Sequence, residues 1–115
     1  TLPGWAGTRR LPETIGSSRA KHMIFTGTPI DAATAERWGL VNEAVVRDDL
    51  RGRVNRLARD IAANAPVAVQ LAKLAIDGGS VALEAFAGAL AAGMDDGQEG
   101  ISAFREKRAP RFTGT

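Results

Sequence analysis

Helical spacing of apolar residues constrains this chain more than any other feature of its sequence. Along one later segment the apolar residues stand at positions i, i+3, i+4 and i+7, namely Leu83, Phe86, Ala87 and Leu90. Residues at this spacing share one face of a helix. The same spacing recurs between Leu50 and Ile61, and helix-ending residues separate the two segments. The sequence therefore predicts amphipathic helices joined by short connections.

The N-terminal segment predicts two short helices that follow each other almost without a linker. Thr8 is placed to cap the first, and Gly16 to end it. Ser17 or Ser18 is placed to cap the second, which Gly27 ends.

A third short helix is predicted between Asp31, a favourable N-cap residue, and Gly39, a favourable C-cap residue. The β-branched residues of Leu40–Val46 then indicate a short strand or an extended run. This segment is the only strand candidate, so the predicted fold class is mostly α.

The C-terminal end predicts one more helix, which follows Asp95–Gly97 and places Ile101 and Phe104 on one side. Pro110 should end that helix, and Arg111–Thr115 is expected to be a loose tail.

Composition places the chain among soluble globular proteins, with 44% hydrophobic and 24% charged residues. There is no cysteine and only one histidine, His22, so neither a disulfide framework nor a histidine or cysteine metal cluster is expected. A reducing cytoplasm fits this composition. The sequence starts at Thr1 without a signal peptide, and we expect it to be the middle of a longer chain.

The charge balance gives little support to nucleic-acid binding. Fifteen Lys and Arg residues against 13 Asp and Glu residues leave a formal charge of +2, and the basic residues are dispersed along the sequence. No membrane association is expected either. The carboxylates Glu13, Glu84 and Glu99 are expected on outer helix faces, without pairing for acid–base chemistry.

Two segments resemble the enoyl-CoA hydratase/isomerase (crotonase) family. Pro3-Gly-Trp-Ala-Gly-Thr-Arg-Arg-Leu-Pro12, followed by Ile15-Gly16, is similar to the family stretch PGxGGTxRLPRxxG. Phe25-Thr-Gly-Thr-Pro-Ile-Asp-Ala-Ala-Thr-Ala-Glu-Arg-Trp-Gly-Leu-Val-Asn42 is similar to FTGxxIxAxEAxxxGLVN. The similarity continues to the ending Glu99-Gly-Ile-Ser-Ala-Phe-Arg-Glu-Lys-Arg-Ala-Pro-Arg-Phe112 and so covers essentially the whole chain.

The resemblance implies the C-terminal end of the crotonase α/β spiral fold. Residues 1–47 would be the end of the spiral core, with short helices and one strand, and residues 48–115 the C-terminal helical oligomerisation region. Members of the family form trimers or dimers of trimers. Their substrate is an acyl-CoA, so coenzyme A enters as part of the substrate and no tightly bound cofactor or metal is expected.

The family's catalytic carboxylates and oxyanion-hole residues precede the Pro-Gly motif, so none is assigned to this chain. Two positions match family contacts to coenzyme A: Phe104 as a surface against it, and Lys107 as a positive group near its phosphates. Without the resemblance, the spacing of Phe104 from Ile101 indicates a core residue, and the position of Lys107 a solvated helix end.

Trp5 departs from those family members that isomerise dienes, which carry an acid near this point of the loop. An indole does not transfer a proton at neutral pH, so a dienoyl-CoA isomerase is disfavoured. Trp5 either packs its own loop or lines the acyl pocket.

The resemblance favours an enoyl-CoA hydratase that adds water to a 2-enoyl-CoA. Other reactions of the family, by isomerases, hydrolases and decarboxylases, remain open. A second hypothesis is a non-catalytic helical module for oligomerisation and for covering coenzyme A, and a third is a basic module that binds nucleic acid.

Overall fold

The computed structural model describes residues 2–115, and all of the regular secondary structure in that range is helical. Within the described range there are seven helices: α1 (Gly7–Ile15), α2 (Ser17–Thr26), α3 (Ala32–Trp38), α4 (Arg47–Ala62), α5 (Pro66–Gly78), α6 (Val81–Ala92) and α7 (Asp95–Glu106). The mostly-α prediction is confirmed. None of these helices combines the length and the apolar character needed to cross a lipid bilayer.

The chain divides into two compact units, one that extends to Leu50 and one from Arg51 to Thr115. In the first unit α1 packs against α2. Its buried apolar residues are Ile15, Ala20 and Ala35. The guanidinium of Arg19 on α2 lies 5.5 Å from the ring centre of Trp38, which connects α2 with α3.

The predicted ends of α3 are confirmed in the structure. A carboxylate oxygen of Asp31 accepts a hydrogen bond from the Thr34 amide at 2.7 Å, and hydrogen bonding from Thr34 lowers the pKa of Asp31. Gly39 adopts a left-handed φ of 78°, and its amide donates to the carbonyl of Glu36 at 2.9 Å. Glycine reaches this conformation without the steric cost of a β-carbon, which explains why the helix ends here.

The prediction of one strand within residues 1–47 is wrong. Leu40–Val46 forms bends followed by an irregular connection, and no strand occurs in the described residues. The amides of Leu40 and Val41 donate to the carbonyl of Ala35, at 2.9 and 3.4 Å. These bonds hold the start of the segment against the end of α3. A strand needs a neighbouring strand for its backbone groups, and residues 2–115 offer none.

The predicted caps of α1 and α2 are also wrong. The amide of Gly7 donates to the Gly4 carbonyl at 3.0 Å, and this turn starts α1 before Thr8. Thr8 therefore lies inside the helix. Gly16 ends α1, as predicted, but also serves as the N-cap of α2, where no side chain caps the helix.

In the second unit α6 lies between α5 and α7 and packs against both. Pro66 occupies the first turn of α5 and Gly79 ends it. The hydroxyl of Ser80 caps α6 by accepting from the Leu83 amide at 3.5 Å. The buried apolar residues of this unit are alanines, Ala87 and Ala103, so the helices approach one another closely.

The apolar face of α4 is only half covered in this chain. None of the residues of α4 is buried, and the exposed apolar residues along it are Leu50, Val54, Leu57 and Ile61. An exposed apolar face of this kind, with four large apolar residues, promotes association between molecules.

The C-terminal tail is fastened to α7, so the expectation of a loose Arg111–Thr115 is wrong. The carboxylate of Asp96 accepts hydrogen bonds from the amides of Thr113 and Gly114, at 2.7 and 2.8 Å. In return the Asp96 amide donates to the Thr115 carbonyl at 2.9 Å. Asp96 is only 5% exposed, and these bonds satisfy its buried carboxylate.

Candidate functional site

The second unit contains an open apolar groove of about 560 Å³. Its walls come from the start of α5, the end of α6, one face of α7 and the ring of Phe112 in the tail. The residues that line it are Ala65, Val67, Ala68, Ala91, Ala92, Met94, Asp96, Gly97, Gly100, Ile101, Phe104, Arg105 and Phe112. Almost all of these side chains are apolar or small, so the groove suits an apolar or flat aromatic group.

Phe104 lies on α7 at the edge of this groove, one turn beyond Ile101. Its side chain is 85% exposed, so it is not the core residue that its spacing from Ile101 indicates. Periodicity identifies a helix face but does not say what covers it. An exposed phenyl ring beside an apolar groove offers a flat surface for stacking.

Lys107 follows α7 directly and has an unusual backbone conformation, with φ 54° and ψ 39°. Its amide donates to the carbonyl of Phe104 at 3.3 Å, and the Arg108 amide donates to the carbonyl of Ala103 at 3.0 Å. This pair of bonds is a Schellman motif, in which glycine is the usual residue at the left-handed position. A lysine there is disfavoured by roughly 1 kcal/mol. Within the described residues its ammonium group makes neither an ion pair nor a hydrogen bond.

The turn after α7 is tied back to the helix by Glu99. Two nitrogens of the Arg108 guanidinium donate to the two carboxylate oxygens of Glu99, at 2.6 and 2.8 Å. The Arg111 amide donates to the same carboxylate at 2.8 Å, and Glu106 accepts from Nε of Arg108 at 2.6 Å. We call Glu99, Arg108 and the Arg111 amide the Glu99 clamp. Glu99 is therefore paired with a cation and an amide, and not with a second carboxylate, which agrees with the expectation that it takes no part in acid–base pairing.

The Glu99 clamp should persist at acidic pH, because its carboxylate stays ionised below the usual pKa of glutamate. Hydrogen bonds from Arg108 and from the Arg111 amide lower the pKa of Glu99 from 4.5 to about 2. A lowered folded-state pKa means that the stabilisation is complete above pH 4.5 and is lost as the pH falls toward 2. An NMR titration of the Glu99 carboxyl carbon should show its midpoint near pH 2, and Arg108→Gln should raise it. A midpoint near 4.5 in the unsubstituted protein would contradict the clamp.

Trp5 lies in the first unit, on the turn that precedes α1. Its side chain is 100% exposed, so it does not pack the loop as one of the two interpretations expects. Trp5 and Ala6 both have left-handed backbone conformations, with φ values of 55° and 64°. A non-glycine pair in this region is uncommon and marks a tightly constrained turn. Its role in an acyl pocket stays a prediction.

The structure therefore brings Phe104 and Lys107 together at the end of α7 and adds residues that the sequence alone does not identify, chiefly Glu99 and Arg108. Their nine-residue separation crosses a helix end, so helical periodicity gives no signal for the pair. Within residues 2–115, His, Asp and Glu side chains form no group of three that could hold a metal ion.

Comparison with known proteins agrees with the family that the two motifs resemble. The family model described as enoyl-CoA hydratase/isomerase matches residues 1–115. The mitochondrial enoyl-CoA hydratase domain-containing protein 2 of Bos taurus is 43% identical over 124 residues, which cover 98% of this chain and 42% of the relative. A probable enoyl-CoA hydratase of Mycobacterium leprae is 39% identical over 125 residues, which cover 97% of this chain and 46% of that protein.

The helical arrangement is also found in solved structures. The crystal structure of an enoyl-CoA hydratase from Bacillus anthracis superposes with a TM-score of 0.93 at 38% identity, over 100% of this chain and 47% of the other. The chain thus spans less than half the length of these three proteins. It belongs to the enoyl-CoA hydratase/isomerase family and corresponds to the C-terminal helical part of that family's fold.

Proposed function

We propose that the protein carrying this chain is an enoyl-CoA hydratase, which adds water across the double bond of a 2-enoyl-CoA. The observation that carries the proposal is the end of α7, where the exposed ring of Phe104 lies three residues before the left-handed Lys107. Coenzyme A combines a flat adenine with several phosphates. An aromatic surface can stack on a base, and an ammonium group without a protein partner suits a phosphate.

The chemistry of the proposed reaction requires stabilisation of an enolate oxyanion by backbone amides and proton transfer by carboxylates. In the family these groups precede the motif that includes Pro3 and Gly4, so the proposal assigns no catalytic residue to residues 2–115. The role proposed for this chain is to bind and cover the coenzyme A part of the substrate. Coenzyme A is then part of the substrate rather than a resident cofactor.

A second candidate is a non-catalytic helical module that supports assembly and covers coenzyme A. The half-exposed apolar face of α4 favours this function, because a trimer or a dimer of trimers would remove such a face from water. The isomerase, hydrolase and decarboxylase reactions of the family are the remaining alternatives for an active protein.

The proposal is tested with the full-length protein and crotonyl-CoA. We expect the conjugated double bond to be lost, which a fall in ultraviolet absorbance would measure. We also expect 3-hydroxybutyryl-CoA to form, which mass spectrometry would identify. Crotonic acid without coenzyme A is the control and should not react, because most of the binding contacts are then absent. If neither short nor medium 2-enoyl-CoAs are hydrated, the hydratase proposal is wrong. Association of the same inactive protein into trimers would then favour the second candidate.

A further inference from the structure

We infer that Glu99 is a positioning residue for Lys107, holding the turn after α7 so that the lysine is set in advance for the phosphates of coenzyme A. This inference rests on the proposed function, in which Lys107 contacts those phosphates. It assigns a role to a carboxylate that lies outside the lining of the apolar groove.

The first step of the argument is the backbone of Lys107. A left-handed φ of 54° is disfavoured for lysine, so surrounding contacts must hold it. The Schellman bonds from Lys107 to Phe104 and from Arg108 to Ala103 supply part of that support. The Lys107 amide donates to the carbonyls of both Ala103 and Phe104, and its bond to Phe104 is long at 3.3 Å.

The second step is the Glu99 clamp, which holds the segment that follows Lys107 at two points. The carboxylate binds the side chain of Arg108, immediately after Lys107, and the backbone amide of Arg111, three residues later. The paired Arg108 bonds fix orientation as well as distance, because the planar guanidinium matches the planar carboxylate. The segment that begins with Lys107 is thus anchored to α7 by one side chain.

The third step is a division of roles between neighbouring cations. Arg108 is occupied by two carboxylates, those of Glu99 and Glu106, at distances down to 2.6 Å. Lys107 has no such partner within residues 2–115 and remains available to an anionic ligand. Arg108 therefore stabilises the turn, while Lys107 is left to bind the phosphates.

The test compares two substrates of the full-length protein: crotonyl-CoA and crotonyl-pantetheine, which lacks the phosphates. Lys107→Gln should raise KM for crotonyl-CoA about tenfold through loss of a charge-assisted contact, with kcat unchanged. Glu99→Gln should raise the same KM about fivefold, because an amide cannot accept the paired bonds from Arg108. Neither variant should change KM for crotonyl-pantetheine.

The double variant identifies the route of the effect. If Glu99 acts through Lys107, Glu99→Gln combined with Lys107→Gln should raise KM for crotonyl-CoA no further than Lys107→Gln alone, about tenfold. Arg108→Lys keeps the charge but loses the paired geometry, so it should also raise KM for crotonyl-CoA about fivefold. It provides a second test of the clamp if Glu99→Gln folds poorly. Glu84→Gln, an exposed carboxylate on α6, is the matched control and should change nothing.

Three results would overturn the inference: multiplicative effects in the double variant, equal losses with both substrates, or no effect of either Glu99→Gln or Arg108→Lys. An unchanged KM for Lys107→Gln would show that Lys107 does not contact the phosphates, and the inference would then be wrong. Hydration of crotonyl-CoA would still support the proposed reaction. Absence of any hydration is a separate outcome, which refutes the proposed function itself and with it the inference as stated.

Discussion

Replacing Gly97 with alanine should destabilise the protein by about 3 kcal/mol, at the upper end of what an overpacked site usually costs. A β-carbon at Gly97 would collide with the carbonyl oxygen of Ala91 and would lie 3.3 Å from the Ala92 α-carbon. These are backbone atoms of α6, so no side-chain rotation can relieve the clash. The junction of α6 and α7, which forms one end of the apolar groove, would have to open.

The chain offers a matched control in Gly88, which lies inside α6. A β-carbon there meets nothing within 4 Å, so Gly88→Ala should stabilise the protein by about 0.5 to 1 kcal/mol through helix propensity. Chemical denaturation of both variants measures the difference. Equal free energies of unfolding for Gly97→Ala and Gly88→Ala would show that α6 and α7 do not approach each other as described.

The contrast between these two glycines shows what the sequence could predict and what it could not. Caps and breakers act within a few residues, and so the roles of Asp31 and Gly39 at the ends of α3 follow from the sequence. The clash at Gly97 depends on the approach of two helices, and nothing in the sequence distinguishes Gly97 from Gly88.

The candidate site divides in the same way. Family resemblance marks Phe104 and Lys107, and the structure places them at one helix end. The clamp of Glu99 on Arg108 and the attachment of the tail to Asp96 join residues nine to 18 positions apart across a turn. Such pairs follow no helical period, so sequence patterns favour the simpler interpretations of outer carboxylates and a loose tail.

Replacing Asp96 with alanine should destabilise the protein by about 3 kcal/mol and release the C-terminal tail. The buried carboxylate accepts from the Thr113 amide at 2.7 Å, the Thr113 hydroxyl at 3.3 Å and the Gly114 amide at 2.8 Å. Hydrogen bonds to a charged group contribute about 1.5 to 3 kcal/mol each, and bonds to one carboxylate do not add independently. Without them the tail amides lose their buried acceptor.

Asp95 provides the control for the helix dipole, since both aspartates lie in the first turn of α7 but Asp95 is exposed. Asp95→Ala should therefore cost only about 0.5 kcal/mol. Hydrogen exchange should report faster exchange of the Thr113 and Gly114 amides in Asp96→Ala alone. Equal destabilisation by the two substitutions would assign the effect to helix electrostatics rather than to the tail.

The Asp96 substitution also tests whether the tail shapes the groove. The ring of Phe112 lines the groove and approaches Gly100 on α7, and the bonds from Thr113 to Asp96 hold the residue that follows it. Asp96→Asn keeps one acceptor but turns the other oxygen into a donor that faces the Gly114 amide, so even this isosteric change should free part of the tail. We expect Asp96→Asn to raise KM for crotonyl-CoA without lowering kcat, because Phe112 would no longer be held as a wall of the groove that Phe104 also lines. An unchanged KM in a variant whose tail amides exchange rapidly would separate the tail from coenzyme binding.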